Sequence, residues 1–200
     1  MTRHPCTDLA GALLMTGATV LSLAMMAAEA LYPGYSIADN FISDLGVGST
    51  APLFNTAIII YGTCVATAAY LLHRNGGLPV LSTIILGISG AGAVCVGIFP
   101  ETLGLPHYVS AGAAFIGGAA AALILSRSIS RPFCWLSALM GCIALAGFLL
   151  HVSHYYIGIG PGGTERLIAY PLILWSAGFG GWLMAMPAGK TLSEKREYSS

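Results

Sequence analysis

Charged residues are scarce in this chain: Asp, Glu, Lys and Arg make up 8% of its 200 residues, and the formal net charge at pH 7 is zero. Soluble domains carry about 25% charged residues, so the chain lacks the ions that cover a surface exposed to water. It also lacks the excess of basic residues that attracts nucleic acid, and we expect no nucleic-acid partner. The shortage of charge therefore excludes an ordinary soluble domain.

Two further patterns are absent. The five cysteines include no CxxC pair or other metal-type spacing, so no disulfide framework or cysteine metal site is predicted. The chain also has no segments of about 10 residues with alternating polar and apolar positions, which are typical of transmembrane β-strands. Helices are thus the expected way of crossing a membrane.

Long apolar stretches are present instead. The chain is 56% hydrophobic with a mean hydropathy of +0.80, and its apolar runs reach about 20 residues, enough to cross about 30 Å of hydrocarbon. This pattern predicts an all-α polytopic membrane protein, a six-helix bundle in a lipid bilayer. Residues 1–189 are expected to form one domain, with spans at 9–31, 52–72, 79–99, 107–126, 133–153 and 164–186 and a polar tail at 190–200.

The first span has features of a signal peptide. Arg3 precedes an apolar run that ends near Ala28-Glu29-Ala30, similar to a cleavage site. The run is longer than the usual signal core of about 7–15 residues, so we expect this span to be retained.

The distribution of basic residues predicts the orientation. With six spans, both termini and the second and fourth connections share one side of the membrane. That side holds seven basic residues: Arg3, Arg74, Arg127, Arg131, Lys190, Lys195 and Arg196. The opposite side holds Arg166 alone. The positive-inside rule therefore predicts a multi-pass protein of the cell (inner) membrane with both termini in the cytoplasm.

Small residues recur along several spans, and small faces let helices approach closely in lipid. They include Ser110, Ala114 and Gly118 at four-residue spacing, and Gly87, Gly90, Gly178 and Gly181. We expect these faces to pack within the bundle, and a homo-oligomer formed through them is the alternative.

Ionisable residues collect at the outer ends of the spans, where the three outer loops meet. They are Glu29, Asp39, Asp44, Glu101, His107, His151, His154, Glu165 and Arg166. No charged residue lies near the middle of a span. Ion-coupled transporters carry such residues at mid-depth, so secondary transport is disfavoured.

The first outer loop contains the stretch YPGYSIADNFISDLG, residues 32–46. Ser36 and Asp39 have the spacing of a capping box. Ile37, Phe41 and Leu45 recur every four residues as an apolar stripe. These spacings predict a short amphipathic helix at the outer interface. Its neighbouring face would present Asn40, Ser43 and Asp44 to the other outer loops.

Arg166 is the single basic residue predicted on the outer side, and two roles are open for it. It can clamp loops together by pairing with a carboxylate on another loop, for which Asp44 and Glu101 are the candidates. Alternatively, its planar guanidinium can bind an anionic substrate group in two-point fashion.

The histidines leave four interpretations open, one of which is ligation of haem by two histidines. His107, His151 and His154, together with Asp44, have the nitrogen and oxygen donors that zinc takes, and bound zinc can activate water. No HExxH-type motif supports this hypothesis. The same residues suit metal-free acid–base chemistry, or a purely structural role at helix ends.

Several short motifs in order resemble a family of prokaryotic six-span membrane proteins catalogued as domain of unknown function 998. They are YPGYS, ISDLG, Phe54-Asn55, GIFPE followed by His107 (97–107) and G-x-x-ER (162–166), within a resemblance that covers about residues 8–186. The resemblance implies a six-helix inner-membrane fold and no known activity. It marks Pro33, Gly34, Ser43, Asp44, Gly46, Asn55, Pro100, His107, Glu165 and Arg166 as motif positions without roles.

A remoter likeness is to membrane hydrolases of the alkaline ceramidase and adiponectin-receptor type. That resemblance implies a zinc ion held by histidines and an aspartate, with a serine nearby, in a seven-helix bundle. This chain has six predicted spans, and His151 and His154 are three residues apart rather than four.

Three functions are therefore carried forward, and whether the protein is an enzyme is left open. The first is binding of a lipid headgroup or small molecule at an outer polar site of Asn40, Ser43, Asp44, Glu101, His107, Glu165 and Arg166. The second is a zinc-dependent lipid hydrolase in which Asp44, His107, His151 and His154 hold the metal and Glu165 or Glu101 is the general base. The third is a structural or assembly role.

Overall fold

The computed structural model describes residues 5–74 and 78–186, and over these residues the chain is helical with no strand. Six helices are long and apolar enough to cross a membrane, which confirms the predicted class and number of spans. They are α1 (Pro5–Leu31), α2 (Ala51–Arg74), α3 (Val80–Ile98), α4 (Leu105–Ser126), α5 (Phe133–Val152) and α6 (Gly160–Met184). The predicted polar tail, 190–200, lies outside the described residues.

The six helices form a closed ring. Each packs against the next along the chain, and α1 packs against α6. Helix α4 also contacts α6. Of the six helices, α6 is the most enclosed: 56% of an 18-residue apolar segment of α6 is buried, against 22% for α5. Side chains on α6 are therefore the ones best placed to line the interior of the bundle.

Small residues allow neighbouring helices to touch through their backbones. A Cβ atom added to Gly62 on α2 would lie 2.5 Å from the carbonyl oxygen of Gly90 on α3. A Cβ on Gly180 would lie 2.5 Å from the carbonyl oxygen of Gly11, where α6 meets α1. These faces thus contact helices of the same chain, as expected for packing in lipid.

The connections after α1, α3 and α5 lie at the same end of the bundle, which we call the site end. The first loop (residues 32–50) is folded onto the helices. Its apolar residues Ile42 and Leu45 are 5% and 0% exposed and pack in one cluster with Phe54 and Met25. The loop therefore closes the site end of the ring.

The amphipathic helix predicted within this loop is not confirmed. Residues 37–39 form a turn, and two short 3-10 helices follow at Ser43–Gly46 and Gly48–Thr50. The predicted stripe is also divided, because Ile37 is 57% exposed whereas Leu45 is fully buried. Ser36 and Asp39 do make a capping-type contact, in which the Asp39 N–H donates to Ser36 Oγ at 3.2 Å.

Side chains of the loop bind its own backbone, which is why the helix does not continue. Asn40 Oδ1 accepts the Ser36 N–H at 3.0 Å, and Asp44 Oδ2 accepts the Phe41 N–H at 2.9 Å. Such local contacts offer the backbone an alternative to helical hydrogen bonds. The polar residues that were expected to cover one face of a helix therefore shape a turn.

Candidate functional site

Arg166 lies in the second turn of α6 with 5% of its surface exposed. Its Nη2 donates to Glu29 Oε1 at 2.7 Å and to the hydroxyl of Tyr35, also at 2.7 Å. Glu29 belongs to the last turn of α1 and is itself 17% exposed on its side chain. A charge-assisted bond between two largely buried groups thus ties the end of α1 to the beginning of α6.

The other terminal nitrogen of Arg166 binds the backbone of the first loop. Nη1 donates to the carbonyl oxygens of Ile37 at 3.0 Å and Asn40 at 3.2 Å, and to that of Gly162 at 3.0 Å. Three carbonyls thereby point at one cation. The loop follows a fixed path over the bundle because of these bonds.

The sequence predicts Asp44 and Glu101 as candidate partners of Arg166. That prediction is wrong, because the guanidinium pairs with Glu29. The ring explains this outcome, since α1 packs directly against α6 and brings Glu29 beside Arg166. Both terminal nitrogens bind groups of the protein, and Nε is buried without a hydrogen-bond partner among the described residues. Binding of an anionic substrate by Arg166 therefore gains no support.

Two glycines at the start of α6 let the loop approach the helix. The Gly162 N–H donates to the Ala38 carbonyl at 2.9 Å. A Cβ on Gly162 would collide with the carbonyl oxygen of Asn40, and a Cβ on Gly160 with that of Ala38. Gly160 also has a φ of +76°, which is strained for other residues. The glycine of the G-x-x-ER motif thus makes room for the backbone that Arg166 binds.

Glu165 secures the next part of the loop. Its side chain is 7% exposed, and Oε2 accepts the Ile42 N–H at 2.5 Å. Adjacent helical residues point about 100° apart, so Glu165 and Arg166 reach different parts of the loop: Ile42 in one case, residues 37 and 40 in the other.

Ser43, Asp44 and Glu101 meet where the first loop contacts the second. Ser43 Oγ donates to Glu101 Oε2 at 2.6 Å. Asp44 lies beside Glu101, and burial together with this neighbouring carboxylate raises the pKa of Glu101 to about 7. Glu101 therefore holds its proton below that pH.

The structure brings most of the predicted polar site together. Asn40 Nδ2 donates to Asp44 Oδ2 at 2.8 Å. Glu165 is close enough to Asp44 and Glu101 for their charges to interact. Asn40, Ser43, Asp44, Glu101 and Glu165 thus form a group that we call the carboxylate cluster. Arg166 belongs to the separate contact with Glu29 and the loop backbone.

His107 is buried apart from this group, at the start of α4. It is 5% exposed, and its Nδ1 lies 2.8 Å from the carbonyl oxygen of Phe99. A carbonyl can only accept, so the proton is on Nδ1. His107 thereby holds the second loop against α4.

His151 and His154 contact other residues and not His107. His151 Nδ1 lies 3.2 Å from Thr164 Oγ1, and His154 is exposed beside the Tyr156 hydroxyl. Across residues 5–74 and 78–186, no three His, Cys, Asp or Glu side chains are arranged to hold a metal ion. The zinc site of Asp44, His107, His151 and His154 therefore has no support from the geometry.

Two residues that were not predicted as site residues bind the guanidinium of Arg166: Glu29 and Tyr35. The Tyr35 hydroxyl donates to the Phe41 carbonyl at 2.8 Å while accepting from Arg166, and burial raises the pKa of Tyr35 to about 12. Glu29 carried a usable signal, because a carboxylate in the last turn of an apolar span needs a cation. Tyr35 carried none beyond its place in the motif.

The remaining motif contact joins the loop to α2. Asn55 Nδ2 donates to the carbonyl oxygen of Gly46 at 3.1 Å. A Cβ on Gly46 would lie 2.6 Å from Asn55 Oδ1, so a larger residue there would displace the Asn55 amide from this contact. The motifs ISDLG, Phe54-Asn55 and G-x-x-ER therefore describe a single arrangement, the first loop fixed across the ring.

Comparison with known proteins agrees with this architecture at the level of the family. No curated protein and no solved structure matches the chain. A family model described as "Protein of unknown function (DUF998)" matches residues 15–182. That match includes every contact of the first loop and leaves out only the beginning of α1 and the end of α6 among the six helices. The chain accordingly belongs to the DUF998 family.

Proposed function

We propose that the protein binds, at the site end, the protonated amine of a small molecule or of a lipid headgroup. The ligand's ammonium group would lie between Ser43, Asp44 and Glu101. The observation that carries the proposal is the pairing of Arg166 with Glu29, which leaves the carboxylate cluster without a basic residue of its own.

The charge balance at this end supports a cationic ligand. Among the described residues, Arg166 is the single Lys or Arg at this end. It pairs directly with Glu29 and its charge also reaches Glu165, so Asp44 and Glu101 are left beside each other with no cation in direct contact. Carboxylates held close together repel when ionised, and a cation relieves that repulsion.

The same groups fit the hydrogen-bonding pattern of an ammonium. An amine of this kind has N–H donors and no acceptor, as the lysine side chain does. Asp44 and Glu101 offer carboxylate oxygens, and both are only partly buried. Below about pH 7 the ammonium would have to displace the proton on Glu101, which would leave to solvent, whereas at pH 8 it would meet an ionised carboxylate.

The site end is proposed to face away from the cytoplasm. Seven of eight basic residues lie at the other end or in the termini, as the positive-inside rule requires for the cytoplasmic side. A lipid of the outer leaflet could then present its headgroup to the cluster directly.

Calorimetric titration of the full chain in lipid nanodiscs with ethanolamine tests the proposal. We expect saturable binding at pH 8 that weakens as the pH falls below about 7, where Glu101 keeps its proton. Glu101→Gln should abolish it. Asp39→Asn is the matched control, since Asp39 is an exposed carboxylate of the first loop, outside the carboxylate cluster, and should leave binding unchanged.

Native mass spectrometry of protein purified with mixed lipids separates the two ligand sources. Retention of phosphatidylethanolamine over phosphatidylglycerol, lost in Glu101→Gln, identifies a lipid headgroup. Ethanolamine binding without lipid retention identifies a free amine. Absence of both, or equal binding by the Gln variant, would overturn the proposal.

A structural role is the second candidate, and the bonds of Arg166 favour it. Five hydrogen bonds to the first loop, α1 and α6 hold the site end together without needing any ligand. Under this function, substitutions in the cluster would change stability but no binding signal.

A further inference from the structure

A cavity lies inside the bundle, separate from the carboxylate cluster. Its volume is about 70 Å³, and five helices contribute to its wall, for example through Leu21, Phe54, Leu86, Phe115 and Trp175. Ile42 of the first loop lines it as well. Most of the wall is apolar, with the serines Ser89 and Ser176 and the hydroxyl-bearing Tyr61 among the exceptions.

Ser176 on α6 has a buried hydroxyl that makes no well-formed hydrogen bond among the described residues. It is 1% exposed, and Oγ has no partner of ordinary geometry; the Tyr61 hydroxyl is the polar group that approaches it. Hydroxyls in membrane helices usually bond the carbonyl four residues earlier, as Thr19, Ser22, Thr63 and Ser110 do here. Ser176 departs from that habit and lines the cavity instead.

An unsatisfied buried hydroxyl is costly, so its presence in a cavity wall points to an occupant. Small-molecule sites have largely apolar walls with a few placed polar groups. An apolar cavity of about 150 Å³ holds benzene, and one of about 70 Å³ suits a molecule of roughly three or four non-hydrogen atoms. We propose that the cavity binds a small neutral organic molecule carrying a hydroxyl or carbonyl oxygen, which accepts a hydrogen bond from Ser176 Oγ.

The first loop covers this site on the side of the carboxylate cluster. Ile42 contributes its side chain to the cavity wall while its N–H donates to Glu165. The ligand is therefore expected to lie among the membrane-spanning helices, beneath the first loop. Its recognition depends on the oxygen and on size, and not on charge, so this site is independent of the amine site proposed above.

Trp175 provides a direct measurement, because it lines the cavity and bromine quenches tryptophan fluorescence on contact. The probe is 2-bromoethanol, and bromoethane is its counterpart without the hydroxyl. In full-length protein carrying Trp135→Phe and Trp182→Phe, we expect saturable quenching of Trp175 by 2-bromoethanol. Its affinity should exceed that of bromoethane by about fivefold, the effect of one hydrogen bond.

Ser176→Ala is the decisive variant, since it removes the hydroxyl and alters little else. It should reduce the preference for 2-bromoethanol over bromoethane to within about twofold while leaving bromoethane quenching intact. If the two tryptophan replacements impair folding, anomalous diffraction from bromine in crystals of the unaltered chain gives the same answer.

Three outcomes would overturn the proposal. The first is quenching that rises linearly with probe, as in simple partition into the bilayer. The second is an unchanged preference in Ser176→Ala. The third is a cavity that contains only ordered water bonded to Ser176 at saturating probe, which would mean that solvent satisfies the hydroxyl.

Discussion

Arg166 and Glu29 form a buried ion pair at 2.7 Å that joins residues 137 positions apart in the chain. The pair lies at the contact between the first and last helices. Because Arg166 also binds three carbonyl oxygens, its position determines both the closure of the ring and the path of the first loop. Four predictions concern this arrangement and its surroundings.

Replacing Arg166 by Ala should sharply reduce the amount of folded protein. The change leaves Glu29 as a largely buried charge without its cation, a loss that typically costs about 3–5 kcal/mol. Size-exclusion chromatography with fluorescence detection and the thermal midpoint of unfolding measure it. Arg127→Ala, at an exposed arginine of the opposite end, should behave as the unaltered chain does.

Removing both charges should do less harm than removing one. The double variant Arg166→Met with Glu29→Gln contains no unpaired buried ion, so it should recover part of the lost yield. Equal yields for Arg166→Ala and the unaltered chain would show that the pair does not hold the fold.

Gly162→Ala should destabilise the protein by displacing the first loop. The added methyl group collides with the carbonyl oxygen of Asn40, which is backbone and cannot turn aside. Gly112→Ala is the matched control on α4: its Cβ meets no atom within 4 Å, and alanine favours helix over glycine. The thermal midpoint should therefore fall for the first variant and hold or rise for the second.

Stability should decrease as the pH rises from about 4.5 to about 7. Glu101 has an ordinary pKa of 4.5 in the unfolded chain and about 7 in the folded one. Between these values the folded state binds the extra proton, so raising the pH favours unfolding. We expect the thermal midpoint to fall by about 2–4 °C, the change that ~1 kcal/mol produces in a chain of this size, because solvent around the half-buried Glu101 screens part of the effect.

Glu101→Gln should flatten this pH dependence, because the amide does not titrate. Asp39→Asn should preserve it. A profile as steep in Glu101→Gln as in the unaltered chain would assign the titration to other groups.

Fusion proteins check the proposed orientation. A fluorescent reporter that matures in the cytoplasm should be bright at the C-terminus, and alkaline phosphatase, which needs an oxidising compartment, should be inactive there. Active phosphatase at that position would reverse the proposed sides of the membrane and move the carboxylate cluster to the cytoplasm.

The helices were predictable because each span must satisfy its own backbone and cover about 30 Å of lipid, and both demands are local. The first loop was harder. Its spacing fits a capping box, and Ser36 and Asp39 do make that contact, yet Asn40 and Asp44 then bind nearby N–H groups and stop the helix. The spacing of polar and apolar residues does not show whether a side chain will take a backbone hydrogen bond away from a helix.

The partner of Arg166 was missed for a different reason. Asp44 and Glu101 lie in loops, and the long Arg166 side chain was expected to reach a carboxylate on another loop. Glu29 instead lies in the last turn of an apolar helix. Choosing among three carboxylates requires knowing that α1 is the neighbour of α6. The position of the Ser176 hydroxyl in a cavity wall could not be predicted from the sequence either, since the cavity forms only when the helices assemble.

The pairing of the first helix with the last has a consequence for biosynthesis. Helices enter the membrane in chain order, so Glu29 is in place long before Arg166 is made. Through the insertion of α2 to α5 the carboxylate has no cation at its end of the bundle, and the first loop has no anchor for its carbonyl groups. Arrival of α6 supplies the cation, the glycine surface and the Ile42 contact at once. Insertion of α6 and fixing of the first loop are thereby the same event.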